Sequence, residues 1–125
     1  MSIQSYRDLE VWKKSIQLIK SCYLLTDKFP KTETYGISSQ LRRSVVSVAA
    51  NIAEGHSRSS TKEFIRFIDI AYGSLAETET HLIIACELGY ITASDIENIL
   101  VKSAEIGRML NGLVSSLQKR IASNP

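Results

Sequence analysis

The chain has 125 residues, of which 44% are hydrophobic and 22% charged, and its formal net charge is +2 at pH 7. This length suits one domain with one core, residues 1–125, and so small a net charge does not by itself indicate nucleic-acid binding. Cys22 and Cys86 lack metal-ligand spacing, the N-terminus has no apolar signal segment, and no apolar run approaches the roughly 20 residues of a membrane span. We expect a cytoplasmic protein with reduced thiols and no membrane partner.

The first helix is predicted over residues 8–27, with Ser5 as its N-cap. Its end is set by Pro30, which disfavours helical backbone at Phe29. Apolar residues recur at spacings of three and four, which predicts that they form one packed seam: Leu9, Trp12, Ile16, Ile19 and Tyr23.

The second helix is predicted over residues 35–54, with Gly55 just beyond its end as a left-handed glycine. One apolar stripe consists of Ile37, Leu41, Val45, Val48 and Ile52, and a second of Val46, Ala49 and Ala53. A surface helix of a monomeric bundle needs one apolar face, so the second stripe predicts an interface between copies of the chain. A charge at Ala49 is then expected to break assembly while sparing helix content.

A polar strip lies between these two stripes, alongside Arg43: Gln40, Ser47, Asn51 and Glu54. The strip has two interpretations. It is a hydrogen-bonded seam that fixes the register of the helices, or it is a surface that faces a ligand. The first interpretation is favoured.

The third and fourth helices are predicted over residues 61–88 and 94–120. A capping box begins the third at Ser60 with Glu63, Gly89 ends it, and Thr92 or Ser94 caps the fourth. Both carry heptad-like seams: Phe64, Ile68, Ala71, Leu75, Thr78, Leu82 and Ala85 in the third, and Ile96, Ile99, Ser103, Ile106, Leu110, Leu113 and Leu117 in the fourth. Short connections between four such helices predict an all-α, antiparallel up-down-up-down four-helix bundle.

Basic residues cluster along the middle of the chain: Arg42, Arg43, Arg58, Lys62 and Arg66. No Lys or Arg occurs between Phe67 and Val101, where the charged residues are acidic. The cluster either pairs with acidic residues of neighbouring helices or subunits, or forms a surface that neutralises phosphates. No aromatic residues interleave with it along the sequence, so binding would be mainly electrostatic.

No motif for catalysis, a metal or a cofactor is found. The chain has no Gly-x-Ser-x-Gly elbow, no glycine-rich phosphate loop and no Glu-x-x-His pair. Glu77 and His81 are four residues apart and are expected to share a surface hydrogen bond rather than a metal. We therefore expect a protein that is not an enzyme.

Several segments together resemble the four-helix-bundle family related to the 23S rRNA intervening-sequence proteins. They are Tyr6-Arg7-Asp8-Leu9 with Trp12, Phe29-Pro30, Glu33-x-Tyr35-Gly36, Gln40-Leu41-Arg42-Arg43, Ala50-Asn51-Ile52-Ala53-Glu54-Gly55, Glu63-Phe64-x-x-Phe67, Gly73-Ser74-Leu75, Glu77-x-Glu79-Thr80 and Leu88-Gly89-Tyr90. The resemblance implies a bundle without enzymatic activity that assembles as a homopentamer. A related branch serves diversity-generating retroelements, where a basic pentamer binds nucleic acid and the reverse transcriptase.

Two functional hypotheses follow. The first is a non-catalytic oligomeric scaffold that binds RNA or DNA through a basic surface repeated by ring symmetry, formed by the five basic residues above. The second is a protein–protein interaction module with a protein partner and no nucleic-acid ligand.

Overall fold

The computed structural model describes residues 5–123, which form four α-helices and two short 3₁₀ turns. The helices are α1 (Glu10–Thr26), α2 (Ile37–His56), α3 (Thr61–Glu87) and α4 (Ala93–Ser123), and the turns are Tyr6–Asp8 and Lys31–Glu33. Every helix end lies within three residues of its predicted position. Each helix packs on two others, α1 and α3 both contacting α2 and α4, so the described chain is an all-α four-helix bundle.

Contacts between neighbouring helices show their relative directions. Residues late in α3 meet residues early in α2, as in the pair Ser44–His81, and residues early in α3 meet the end of α2, as in Gly55–Phe67. The pair α3–α4 is also antiparallel, since Glu79 accepts a hydrogen bond from Ser103 while Leu75 lies against Gly107. The pair α1–α4 is antiparallel too, since Lys14 pairs with Glu105 while Lys28, just beyond α1, pairs with Asp95.

The predicted core seams of three helices are confirmed. All five members of the main α2 stripe are buried, and in α3 and α4 only Phe64 and Leu113 remain partly exposed. In α1 the prediction is wrong, because the buried residues are Val11, Ser15, Leu18, Cys22, Leu25 and Thr26. The predicted α1 seam instead lies along a partly exposed flank.

The helix ends follow local capping chemistry. Ser60 accepts from the Glu63 amide at 3.0 Å, and Thr92 and Asp95 cap α4 reciprocally, at 3.1 and 2.8 Å; these caps were predicted. Gly89, at φ +79°, ends α3 with amide bonds typical of a Schellman motif. Ser5 caps the first 3₁₀ turn rather than α1, so that prediction is wrong.

Gly55 lies inside α2 and not beyond its end, which corrects the predicted C-terminal role. Its backbone faces α3: a Cβ built there would lie 2.6 Å from Phe67 Cβ and 3.0 Å from Phe64 Cδ1. Glycine is needed here because two helices approach closely, and not because of a left-handed conformation.

Candidate nucleic-acid interface

A hydrogen-bonded polar seam joins α2 to α3. Ser47 Oγ lies 2.9 Å from Ser74 Oγ, Asn51 Nδ2 donates to Ser47 Oγ at 2.9 Å, and Thr78 Oγ1 donates to Ser44 Oγ at 2.9 Å. The Ser47–Ser74 and Ser44–Thr78 bonds join successive turns of the two helices. If α3 slid along α2 by one turn, about 5.4 Å, both bonds would break. The placement of Ser47 and Asn51 therefore matches the register-fixing interpretation. Asn51 donates to Ser47 within α2, and the α3 partner of Ser47, Ser74, could not be identified before the register was known.

His81 extends this seam inside the bundle and is only 8% exposed. Its Nδ1 lies 3.3 Å from Ser44 Oγ, so the predicted surface hydrogen bond to Glu77 is wrong. Ser44 Oγ also lies 3.0 Å from the Leu41 carbonyl oxygen and 2.9 Å from Thr78 Oγ1, so it belongs to a hydrogen-bonded network between α2 and α3. The Ser44–His81 pair is buried inside the bundle as part of this seam.

The ends of the predicted polar strip do not join the seam. Gln40 lines a surface groove beside Arg43 and Glu77. Glu54 accepts a hydrogen bond from Arg58 at 2.6 Å. At 100° per residue, Glu54 is turned about 60° away from Asn51, toward solvent, which explains why the strip divides.

The five predicted basic residues lie in two groups rather than on one surface: Arg42 with Arg43, and Arg58 with Lys62 and Arg66. The first group lies early in α2, and the second lies where α2 meets α3. From Arg43 to the end of α2 the helix rises about 20 Å. A single chain therefore does not bring all five residues together on one contiguous basic surface.

The group at the α2–α3 junction is largely neutralised by its own helices. Arg58 pairs with Glu54 at 2.6 Å, and Arg66 pairs with Glu63 at 3.0 Å. The hydrogen bond from Arg66 holds the pKa of the Glu63 carboxyl below its ordinary value, so the carboxylate stays charged. Within residues 5–123, Lys62 is exposed and has no ion pair.

The group early in α2 is less compensated. Arg42 donates twice to Thr26 Oγ1, at 3.0 and 2.8 Å, and its guanidinium lies 4.5 Å from the centre of the Tyr23 ring. Asp27 is 3.9 Å from Arg42, both side chains being substantially exposed. The side chain of Arg43 is exposed and makes no hydrogen bond or ion pair with any other described residue.

These cations border a groove that also contains two tyrosines. The groove measures about 340 Å³, and its lining includes Tyr23, Tyr35, Ser39, Arg42, Arg43 and Val46. Two further grooves adjoin it, one through Tyr23 and one through Arg42, and they add Lys20 and Lys31. Across the three grooves the charged lining residues are four basic side chains and one acidic side chain, Asp27. We call this region the aromatic–basic groove.

The second stripe of α2 faces α1. Arg42 and Ala49 are seven residues apart and so share a helix side, and Arg42 bonds Thr26 of α1. Ala49 is 5% exposed, Ala53 is partly exposed and Val46 is 40% exposed. The burial of Ala49 thus needs no second chain, which removes it from the predicted interface.

No metal-binding cluster is found in the described part of the chain, where no three His, Cys, Asp or Glu side chains come together. No helix there combines the length and apolar character needed to cross a bilayer. Burial raises the pKa of the Cys22 thiol to about 12, so it packs as an inert side chain.

The fold and the groove define a small helical-bundle protein with a basic, aromatic surface between its first two helices. The chain belongs to the 23S rRNA-intervening sequence protein family, whose model matches residues 7–112. Its structure is similar to the crystal structure of a protein of unknown function from the S23 ribosomal protein family of Bacteroides thetaiotaomicron. The TM-score is 0.74 at 29% identity, with 83% of this chain and 97% of that one covered. Comparison with curated proteins gives no match.

Proposed function

We propose that this protein is a non-catalytic oligomeric scaffold that binds RNA or DNA through the surface around Arg42 and Arg43. The observation that carries the proposal is the excess of basic over acidic side chains in the aromatic–basic groove, with Arg43 unpaired among the described residues. Such a surface attracts phosphates, and binding releases the counterions that phosphates hold. The name of the family, 23S rRNA-intervening sequence protein, supports an RNA-related role.

The junction group contributes less to this function. Arg58 and Arg66 would exchange a carboxylate for a phosphate, which gains little net charge attraction. Both guanidinium groups also lie against the Phe67 ring, at 5.0 and 4.6 Å from its centre. Lys62 alone can contact a phosphate without breaking an ion pair.

The proposed assembly uses the partly exposed flank of α1. Half-buried apolar side chains lie early in α1, at Trp12 and Ile16, and Ala53 is partly exposed late in α2; none of the three lines the aromatic–basic groove. A different apolar area lies on the outer side of α3, where Ile70 and Ile84 are exposed beside Glu77. Contact between two unlike faces closes a ring, and the family resemblance implies a homopentamer. Light scattering that shows a monomer at micromolar concentration would contradict this assembly.

The test of nucleic-acid binding is a gel-shift titration over a salt series with duplex and single-stranded probes. We expect the logarithm of affinity to fall linearly with the logarithm of salt concentration, by about 0.7–0.9 per phosphate contact. Arg43→Gln is expected to reduce this slope, whereas Arg58→Gln, which removes an internally paired cation, changes it less. Affinity that ignores salt, or that survives Arg43→Gln unchanged, contradicts the proposal.

We propose that the protein has no catalytic activity and acts in the cytoplasm. The Ser44–His81 pair described above is buried in the polar seam between α2 and α3, which fits a structural role. The free thiols Cys22 and Cys86 fit a reducing compartment.

The alternative function is a protein–protein interaction module without a nucleic-acid ligand. The exposed apolar residues of α3, Ile70, Ile83 and Ile84, favour it, because they would fit a partner helix. A protein retained on the bundle after nuclease treatment of the lysate, and lost with Ile84→Glu, supports this function. Loss of every partner after nuclease rejects it.

A further inference from the structure

The aromatic–basic groove combines two features that the sequence keeps apart. Tyr23 lies on α1, Tyr35 lies just before α2, and both line the same groove as Arg43. Tyr35 is 97% exposed and Tyr23 is 37% exposed. A nearly fully exposed tyrosine beside unpaired cations offers a flat apolar ring and positive charge together.

The second tyrosine is already part of a stack. The Arg42 guanidinium lies 4.5 Å from the centre of the Tyr23 ring, and its double hydrogen bond to Thr26 holds it in place. Guanidinium planes and aromatic rings both accept nucleobases by stacking. The stack is therefore a second platform, held in place before any ligand binds.

The charge around these platforms favours a polyanion. Lys20, Lys31 and Arg43 make no ion pair with any residue between 5 and 123, and Asp27 is the one acidic residue lining the three grooves. A phosphate backbone could therefore contact several cations while its bases meet the rings.

We propose that the aromatic–basic groove binds single-stranded nucleic acid, with bases stacked on Tyr35 and on the Tyr23–Arg42 pair and phosphates held by Arg43 and its neighbouring lysines. The proposal rests on the proposed function above and names its ligand class. A duplex hides its base faces within its own stack, whereas an unpaired strand presents them, so only the strand can use the tyrosines.

The experiment measures fluorescence anisotropy with labelled probes of about 12 nucleotides, a length within the usual footprint of single-strand binding modules. The probes are single-stranded RNA, single-stranded DNA and an RNA duplex, and the first two distinguish the source of the strand. Tyr35→Ala is expected to weaken binding of the single strand by about 5- to 150-fold, the equivalent of one lost base stack, and to leave the duplex unaffected. Tyr35→Phe keeps the ring and is expected to bind like the wild type.

Tyr72→Ala is the matched control, since Tyr72 is an exposed tyrosine on α3, 45% exposed and outside the groove. Equal binding of single strand and duplex, or a Tyr35→Ala variant that binds single strands normally, overturns this inference while leaving salt-dependent binding intact. If the wild type binds no probe at any salt concentration, the proposed function itself fails. If Tyr35→Ala changes the mass measured by light scattering, the groove is a contact between copies and the inference is also overturned.

Discussion

The close approach of α2 and α3 at Gly55 predicts that Gly55→Ala lowers the stability of the protein. In Gly55→Ala, the new Cβ would lie 2.6 Å from Phe67 Cβ, whereas ordinary contact begins at 3.4 Å, so α3 must move by about 0.8 Å. Phe67 Cβ is bonded to the backbone and cannot rotate away. Gly73→Ala is the matched control, because no atom lies within 4 Å of a Cβ built at that mid-helix position.

The two substitutions are expected to change stability in opposite directions. Overpacking at Gly55 costs about 2–3 kcal/mol, the upper part of the usual range because Phe67 Cβ cannot rotate away, and the helix preference of alanine offsets at most about 1 kcal/mol of it. The net loss is then about 1–2 kcal/mol, and each kcal/mol lowers the Tm of a domain of this size by about 3–5 °C. Gly73→Ala gains about 0.5–1 kcal/mol, since it adds helix preference without a clash.

The assay is urea unfolding followed by circular dichroism at a fixed protein concentration, because assembly would make stability depend on concentration. The free energies of unfolding of the two variants and the wild type are compared using the same m-value for all three proteins. A Gly55→Ala variant as stable as the wild type would refute the close approach. A Gly73→Ala variant that loses stability would instead reveal a neighbouring chain against that face.

Three further predictions follow from the seam, a helix cap and the α1-facing stripe. Thr78→Val removes the hydrogen bonds that Thr78 Oγ1 makes with Ser44 Oγ and with the Ser74 carbonyl oxygen, and it is expected to lower the free energy of unfolding by about 1–3 kcal/mol; unchanged urea unfolding would count against the seam. Hydrogen bonds from Lys28 and the Thr92 amide lower the Asp95 pKa to about 2. Since the folded-state pKa lies below the unfolded value, the carboxylate stabilises the fold above about pH 4 and loses this effect as the pH falls through about 2. Asp95→Asn should therefore be less stable than the wild type at neutral pH, and a difference that persists at pH of about 2 would contradict the cause. Ala49→Glu is expected to unfold the bundle, whereas Ala53→Glu, at a partly exposed position outside the groove, should retain helix content and reduce the mass seen by light scattering; a folded Ala49→Glu would show that this residue is not buried.

The α1 core could not be read from periodicity because this helix carries two apolar stripes of similar quality. Val11, Leu18 and Leu25 repeat every seven residues, as do Trp12 and Ile19. Both patterns fit a packed seam, and the larger side chains favoured the wrong one. Only the positions of α2 and α4 decide which stripe faces inward, and those positions are tertiary information.

The second stripe of α2 is apolar, as predicted, but its buried member Ala49 faces α1 rather than a second copy of the chain. Every helix of a four-helix bundle touches two others, so it needs two narrow contact strips rather than one broad face. Ala49 fits the side facing α1, where a small residue lets the helices lie close. Assembly is therefore better tested at Ala53, which is partly exposed and lies outside the groove, than at the buried Ala49.

The aromatic–basic groove shows why a linear search for a nucleic-acid site is incomplete in a helical bundle. Tyr23 and Tyr35 are separated from Arg43 by 20 and 8 positions, so no interleaved motif exists in the sequence. The connection between α1 and α2 reverses the chain and brings all three to one groove. Conversely, the junction arginines look basic in sequence, yet carboxylates three or four residues away neutralise them. The useful quantity is thus the charge left after intrahelical ion pairs are removed, and that charge is what places the proposed ligand site at Arg43.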